Sequence, residues 1–147
     1  MNSFNHYAYG AVGDWMYRKN IAGIDQLPDS CGYEKLLIHP CPTEQLAWAK
    51  GRLKTVRGTV ATEWKREDGQ YTISVTVPEG PDALIVLPAQ DAAGVTESGK
   101  PLSDNPTLIV TDPMTTPAIS RFWLSRGITP SNRKSFSRTI AGLMRSI

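Results

Sequence analysis

Gly58-Thr-Val-Ala-Thr-Glu-Trp-Lys-Arg-Glu-Asp-Gly-Gln-Tyr-Thr-Ile-Ser-Val-Thr-Val77 is the stretch on which the fold turns. Val60, Thr62 and Trp64 alternate with Ala61, Glu63 and Lys65, and further on Tyr71, Ile73, Val75 and Val77 alternate with Thr72, Ser74 and Thr76. A period of two sends one set of side chains to a core and the other to solvent, as in strands buried on one face. Between the two runs lies Asp68-Gly69. That pair favours a tight antiparallel turn, so the stretch reads as a β-hairpin.

Working outward, Pro78-Glu-Gly-Pro81 stops the second strand, and Ala83-Leu-Ile-Val-Leu87 is a continuous apolar run that suits a strand covered on both faces. On the N-terminal side, Leu36-Leu-Ile38 is ended by Pro40 and Pro42, and Leu46, Trp48 and Lys50 alternate with Ala47 and Ala49. Gly94-Val-Thr-Glu-Ser-Gly-Lys-Pro101 adds a short strand and turn, and Thr107-Leu-Ile-Val-Thr111 is the last strand predicted. Short strands separated by turn formers predict a mainly β chain folded as an antiparallel, jelly-roll-like sandwich over residues 34–111. Residues 21–33, rich in turn formers and glycine, read as the connector into it.

The first 20 residues follow another period. In Ser3-Phe-Asn-His-Tyr-Ala-Tyr-Gly-Ala-Val-Gly-Asp-Trp-Met-Tyr-Arg18, Ser3 and Asn5 are good N-caps, and Ala8, Ala11, Val12, Trp15 and Met16 fall on one helical face, predicted to be buried. A second stripe mixes His6, Tyr9 and Tyr17 with Gly10 and Gly13. Each helical glycine costs about 1 kcal/mol against alanine, so a partner backbone packed close is expected to offset them. No comparable helical period recurs until the last twenty or so residues. The helix therefore reads as one stave of a helical assembly whose other staves lie outside this chain.

Five blocks carry a family resemblance: the Ser3 to Arg18 stretch, Gly32-Tyr-Glu-Lys-Leu-Leu-Ile-His-Pro40, Leu46-Ala-Trp-Ala-Lys50, Gly58-Thr-Val-Ala-Thr-Glu-Trp-Lys65 and Val95-Thr-Glu-Ser-Gly-Lys-Pro-Leu102. In this order they resemble the C-terminal end of bacterial α-L-rhamnosidases of glycoside hydrolase family 78, over about residues 3 to 102. The resemblance implies that residues 1–20 are the last helix of an α/α barrel and that a β-sandwich packs behind it.

Beyond Thr111 the resemblance stops and the charge changes sign. Residues 1–112 hold ten Lys and Arg and all fourteen Asp and Glu, whereas residues 113–147 hold six Lys and Arg and no acid. Phe136, Ile140, Leu143, Met144 and Ile147 fit one face of a short C-terminal helix with Arg133, Lys134, Arg138 and Arg145 off it. Residues 112–147 are thus expected to be a basic amphipathic tail, or else an end replaced by frameshift or rearrangement. Loss of the closing strands would leave a sheet edge open.

The composition excludes several classes. A chain of 147 residues with 40% hydrophobic residues can bury one domain's core. No basic-then-apolar leader begins it and no stretch approaches the ~20 apolar residues of a membrane span, so it reads as cytoplasmic as given. Any export signal would lie upstream in a longer parent. Cys31 and Cys41 lack the His or Cys partners of a zinc site and read as free thiols, with a disulfide between them as the alternative that nothing in the sequence supports. No metal and no cofactor is expected. The basic tail lacks the interleaved pattern of a nucleic-acid binder, and neither nucleic acid nor membrane is expected as a partner.

Glycoside hydrolysis with inversion needs two carboxyl groups roughly 6.5–9.5 Å apart. The resemblance implies that both catalytic glutamates lie upstream of residue 1, so no catalytic residue is assigned here. Asp14 is expected to pair with a neighbouring helix or to cap a network, and Glu63 to face solvent. The resemblance gives one residue a substrate role: His6, matching the family's Asn-His-Tyr histidine, hydrogen-bonds rhamnose in the intact parent. A helix N-terminus disfavours a cationic imidazole, which suits that role. Trp48 and Trp64 are expected in the core, although aromatics on a sandwich can also stack on sugars. The favoured function is a non-catalytic C-terminal fragment of an α-L-rhamnosidase, inactive alone, meeting a rhamnoside only within the parent. The alternatives are a stand-alone carbohydrate-binding sandwich, or a subunit completing a split glycosidase, and the exposed helix could also pair two copies as a homodimer.

Overall fold

The computed structural model describes residues 6–88, 92–102, 108–111, 120–124 and 135–143. Helix α1 (His6–Met16) and a π-helical turn (Tyr17–Ile21) lead into β1 (Ile24–Gln26), β2 (Lys35–Ile38), β3 (Trp48–Thr55), β4 (Gly58–Glu67), β5 (Gln70–Pro78) and β6 (Asp82–Leu87). A short 3-10 turn (Ala92–Gly94) precedes β7 (Thr96–Glu97) and β8 (Lys100–Pro101), followed by β9 (Leu108–Thr111), β10 (Ser120–Leu124) and β11 (Ser135–Leu143). They form two sheets, ordered β1-β2-β6-β10-β9 and β3-β4-β5-β11-β7-β8. The mainly β sandwich read from the sequence is the observed architecture. Pairing is antiparallel except between β2 and β6, which run parallel with Leu36 opposite Ala83 and Ile38 opposite Ile85.

The hairpin sits at the centre of the second sheet. Glu67 pairs with Gln70 across the turn, and Asp68 and Gly69 both take positive φ, 49° and 75°. Both central residues lying at positive φ give the turn whose twist matches that of the flanking strands. Val60, Thr62 and Trp64 of β4 and Tyr71, Ile73, Val75 and Val77 of β5 point inward and are buried. Leu36, Ile38, Ala83 and Ile85 of the first sheet complete that core. Burial of each large aliphatic side chain contributes roughly 1.5–3 kcal/mol. Trp64 is fully buried and stacks on Tyr71 with centroids 6.0 Å apart at 27°.

The expected C-terminal helix is a strand where the structure describes it. Ser135–Leu143 lies antiparallel along β5, from Ser135 opposite Pro78 to Leu143 opposite Gln70. Phe136, Ile140 and Leu143 do fit a helical face, but Ser135, Ser137, Thr139 and Gly142 are weak helix formers, and the open edge of β5 offers a full ladder of backbone bonds. Ile140 is buried at 1% exposure. Met144 and Ile147, the other two apolar positions of that predicted face, lie outside the described residues. The first sheet also extends beyond Thr111, through β10 between β6 and β9.

Trp48 departs from expectation as well. It is 59% exposed on the outer face of β3, while Ala49 is buried. The register explains this: Ala49 lies directly opposite Trp64, whose ring fills the interior at that level, so β3 presents its small residue inward.

The Tyr71 hydroxyl is buried without a hydrogen-bond partner among the described residues, and burial raises its phenol above the ordinary 10.0. A raised acid contributes stability that is fully present below the unfolded value and lost as pH rises above it. Tyr71→Phe is therefore expected to hold or raise the thermal midpoint at neutral pH and to flatten the loss of stability above about pH 10. Destabilisation by more than about 1 kcal/mol in thermal denaturation would show that the hydroxyl is bonded.

Candidate functional site

The end of the helical segment is fixed to the sandwich by its own carbonyls. A helix leaves its last carbonyls without intrahelical partners, and here the final turn widens, with Ala22 N–H donating to the Tyr17 carbonyl at 2.8 Å. The carbonyls so released are received one by one. Cys41 N–H donates to Lys19 O at 2.7 Å, the Trp64 indole N–H to Ile21 O at 2.8 Å and the Thr62 hydroxyl to Ala22 O at 2.5 Å. Trp64 and Thr62 are the inward residues of β4. The same side chains that build the core therefore hold the helix end.

Two glycines make the approach possible. Gly23 takes φ 63° just past the turn, the usual left-handed stop of a helix, and its carbonyl accepts from His39 N–H at 2.8 Å. Gly51 on β3 lies under Ala22, where an added Cβ would overlap the Ala22 methyl and stand 3.1 Å from the Tyr17 hydroxyl oxygen. That hydroxyl donates to the Arg52 carbonyl at 2.7 Å and accepts from Arg52 N–H at 2.7 Å. Since β3 is the edge of its sheet, Tyr17 occupies backbone groups that would otherwise invite another strand. Arg18 bridges to Asp14 at 3.0 Å and to Asp25 at 3.1 Å, and Asp25 followed by Asp14 raises its guanidinium pKa. Of the two expectations for Asp14, the network is the one seen among the described residues: it shares Arg18 with Asp25.

Ahead of this junction α1 is exposed among the described residues. Tyr7, Val12, Trp15 and Met16 are 80%, 57%, 57% and 46% exposed. The face predicted to be buried is bare among the described residues, because the anchoring bonds all fall at the helix's C-terminal end. At Gly10 and Gly13 an added Cβ would meet nothing within 4 Å. The partner backbone that would offset their cost is not supplied by the described residues. His6 opens α1, and its side chain, like that of Tyr9, lies outside the described residues.

The remaining candidates are dispersed. Glu63 is exposed on the outer face of β4, within a trough of about 450 Å³ lined also by Lys50, Arg52, Ser74 and Thr76. Trp64 is core, and Cys31 and Cys41 are free thiols. No cluster of three or more potential metal ligands occurs among the described residues. Sequence reading missed Tyr17, Thr62 and Gly51 as junction residues; the one signal was a buried-phase threonine in β4 two residues before a tryptophan, a polar side chain needing an internal acceptor.

Fold and junction together define a two-sheet β-domain that holds the end of a helix whose apolar face is uncovered among the described residues. Residues 23–101 match the model of the bacterial alpha-L-rhamnosidase C-terminal domain, and the chain belongs to that family. It is 42% identical over 89 residues to an alpha-L-rhamnosidase of Streptomyces avermitilis, covering 60% of this chain and 8% of that protein. To one of Formosa agariphila it is 40% identical over 92 residues, covering 63% of this chain and 10% of the relative. The solved structure of the Streptomyces avermitilis enzyme complexed with L-rhamnose superposes with a TM-score of 0.69 at 28% identity, over 96% of this chain and 12% of that one. The chain thus spans about a tenth of the length of the relatives it matches.

Gly51→Ala is expected to destabilise the chain by about 1–3 kcal/mol through overpacking against Ala22, while Gly94→Ala, with open space around it, serves as the neutral control. Tyr17→Phe should cost about 1 kcal/mol by freeing the Arg52 backbone. Urea denaturation followed by tryptophan fluorescence reads both; equal midpoints for Gly51→Ala and Gly94→Ala would contradict the close approach.

Proposed function

We propose that the chain is the non-catalytic C-terminal part of an α-L-rhamnosidase, whose upstream polypeptide performs inverting hydrolysis of terminal α-L-rhamnosides. The observation that carries this is α1: an amphipathic helix held firmly at one end by the sandwich and bare along the face of Val12, Trp15 and Met16. Covering that face with an upstream helical barrel would recover roughly 1.5–3 kcal/mol for each large apolar side chain buried. Backbones close to Gly10 and Gly13 would use the open space there. The sandwich's part is mechanical. Capture of the Lys19, Ile21 and Ala22 carbonyls supports a role in orienting α1, and with it His6 at the start of that helix, whose imidazole would donate or accept a hydrogen bond with a rhamnose hydroxyl.

A second cover for the sandwich is available in its first sheet. Leu37 and Leu84 stand opposite each other, half-buried, in the row that faces away from Leu36 and Ile85. The hairpin face of the second sheet is polar. This asymmetry favours the first sheet as the side turned toward a larger body. A homodimer through α1 is the competing occupant of the apolar stripe, and static light scattering that stays monomeric up to high concentration would remove it.

The test is a chimaera in which residues 1–147 replace the matching C-terminal segment of the Streptomyces avermitilis alpha-L-rhamnosidase. It is expected to hydrolyse an aryl α-L-rhamnoside, to lose at least tenfold in activity with Trp15→Asp, and to lose about tenfold in kcat/KM with His6→Ala. Residues 1–147 alone are expected to release no product. Turnover by the isolated chain would overturn the assignment.

A further inference from the structure

The outer face of the second sheet carries a feature that support of a barrel does not require. Scattered exposed apolar residues are ordinary, but Trp48 is not scattered. It begins a row on β3 that continues through Lys50, Arg52 and Lys54, all exposed and all on the face opposite the core. Trp48 and Arg52 lie four residues apart on one strand, about 13 Å. Lys65 of β4 is directly opposite Trp48, and Glu63 is directly opposite Lys50. Beside this row runs the trough of about 450 Å³, whose floor is Glu63, Ser74 and Thr76 of β4 and β5.

The chemistry of the three components converges. The exposed indole of Trp48, two residues along β3 from Lys50, offers a face to the C–H side of a pyranose ring. Hydroxyl and carboxylate side chains such as Ser74, Thr76 and Glu63 in the trough are suited to hydrogen-bonding ring hydroxyls. The charge selects the kind of sugar. Lys65 is paired with Glu67 at 2.5 Å, but Lys50, Arg52 and Lys54 have no ion pair among the described residues, and Glu63 is the one carboxylate lining the trough. The guanidinium of Arg52 is suited to a planar carboxylate.

We infer that the outer face of β3, β4 and β5 is a glycan-binding surface for a uronate-bearing saccharide chain, with Trp48 as the stacking platform and Lys50 and Arg52 as carboxylate partners. It is separate from the stripe on α1 and stands or falls independently of the chain's relation to a catalytic barrel.

Affinity electrophoresis of the 147-residue chain through gels containing polygalacturonate tests it, with a neutral glucan gel and a single-stranded oligonucleotide competitor as controls. The expected result is retardation by polygalacturonate only, weakened as salt rises. Trp48→Ala should reduce affinity about tenfold, and the Lys50→Glu, Arg52→Glu double variant should abolish it. Lys35→Glu, on the other sheet, should leave it unchanged. Trp48, Lys50 and Arg52 are exposed and Lys35 is half-buried, and unchanged thermal midpoints will show that the variants are folded. Free migration of the folded wild-type chain, equal retardation by neutral glucan, full displacement by the oligonucleotide, or retention that survives Trp48→Ala and the double variant would each overturn the inference.

Discussion

Three hydrogen bonds to the carbonyls of Lys19, Ile21 and Ala22 hold this structure together at its most consequential point. A helix terminus must find acceptors' partners somewhere, and water is the ordinary answer. Here two of the donors are Trp64 and Thr62, buried side chains at the centre of the sandwich. Their polar atoms need internal partners as much as the helix end does, since an unbonded buried donor costs about 1–3 kcal/mol. Each side satisfies the other, and the helix cannot reorient without exposing a core that is otherwise closed. The Tyr17 hydroxyl and the glycine at position 51 belong to the same arrangement.

From that constraint the division of the molecule follows. One end of the helical segment is held by hydrogen bonds from the sandwich, while its apolar stripe is uncovered among the described residues. The family to which the chain belongs consists of C-terminal domains of bacterial alpha-L-rhamnosidases. The two sheet surfaces differ in kind as well: the first presents Leu37 and Leu84, the second a row of tryptophan, lysine and arginine over a hydroxyl-lined trough.

Much of the sandwich was legible because the hairpin's code is local. Alternation in β4 and β5, with Asp68-Gly69 between them, names its own turn and its own inside face. The errors come from non-local information. Residues 135–143 carry a weak helical pattern, and only the vacant edge of β5, sixty or so positions earlier in the chain, makes them a strand. The alternation around Trp48 predicts a strand and, by the default of core packing, an inward ring, but Lys50 in the same phase is exposed and the inner face carries Ala49. The apolar stripe of α1 was read correctly as apolar, but amphipathicity does not say which body covers it. His6 could be placed only by resemblance, since an imidazole at a helix start has no periodic signature.

Amide hydrogen exchange on residues 1–147, read at single-residue resolution, tests the central claim most directly. If the junction is part of the core, the Ala22, His39, Cys41 and Arg52 amides and the Trp64 indole exchange only with global unfolding, while the amides of α1 ahead of Met16 exchange through local fraying. Exchange of Ala22 and Cys41 as fast as that of α1, with the β4 and β5 amides still protected, would contradict it: the helix would then be a loosely tethered extension and not a seated part of the sandwich.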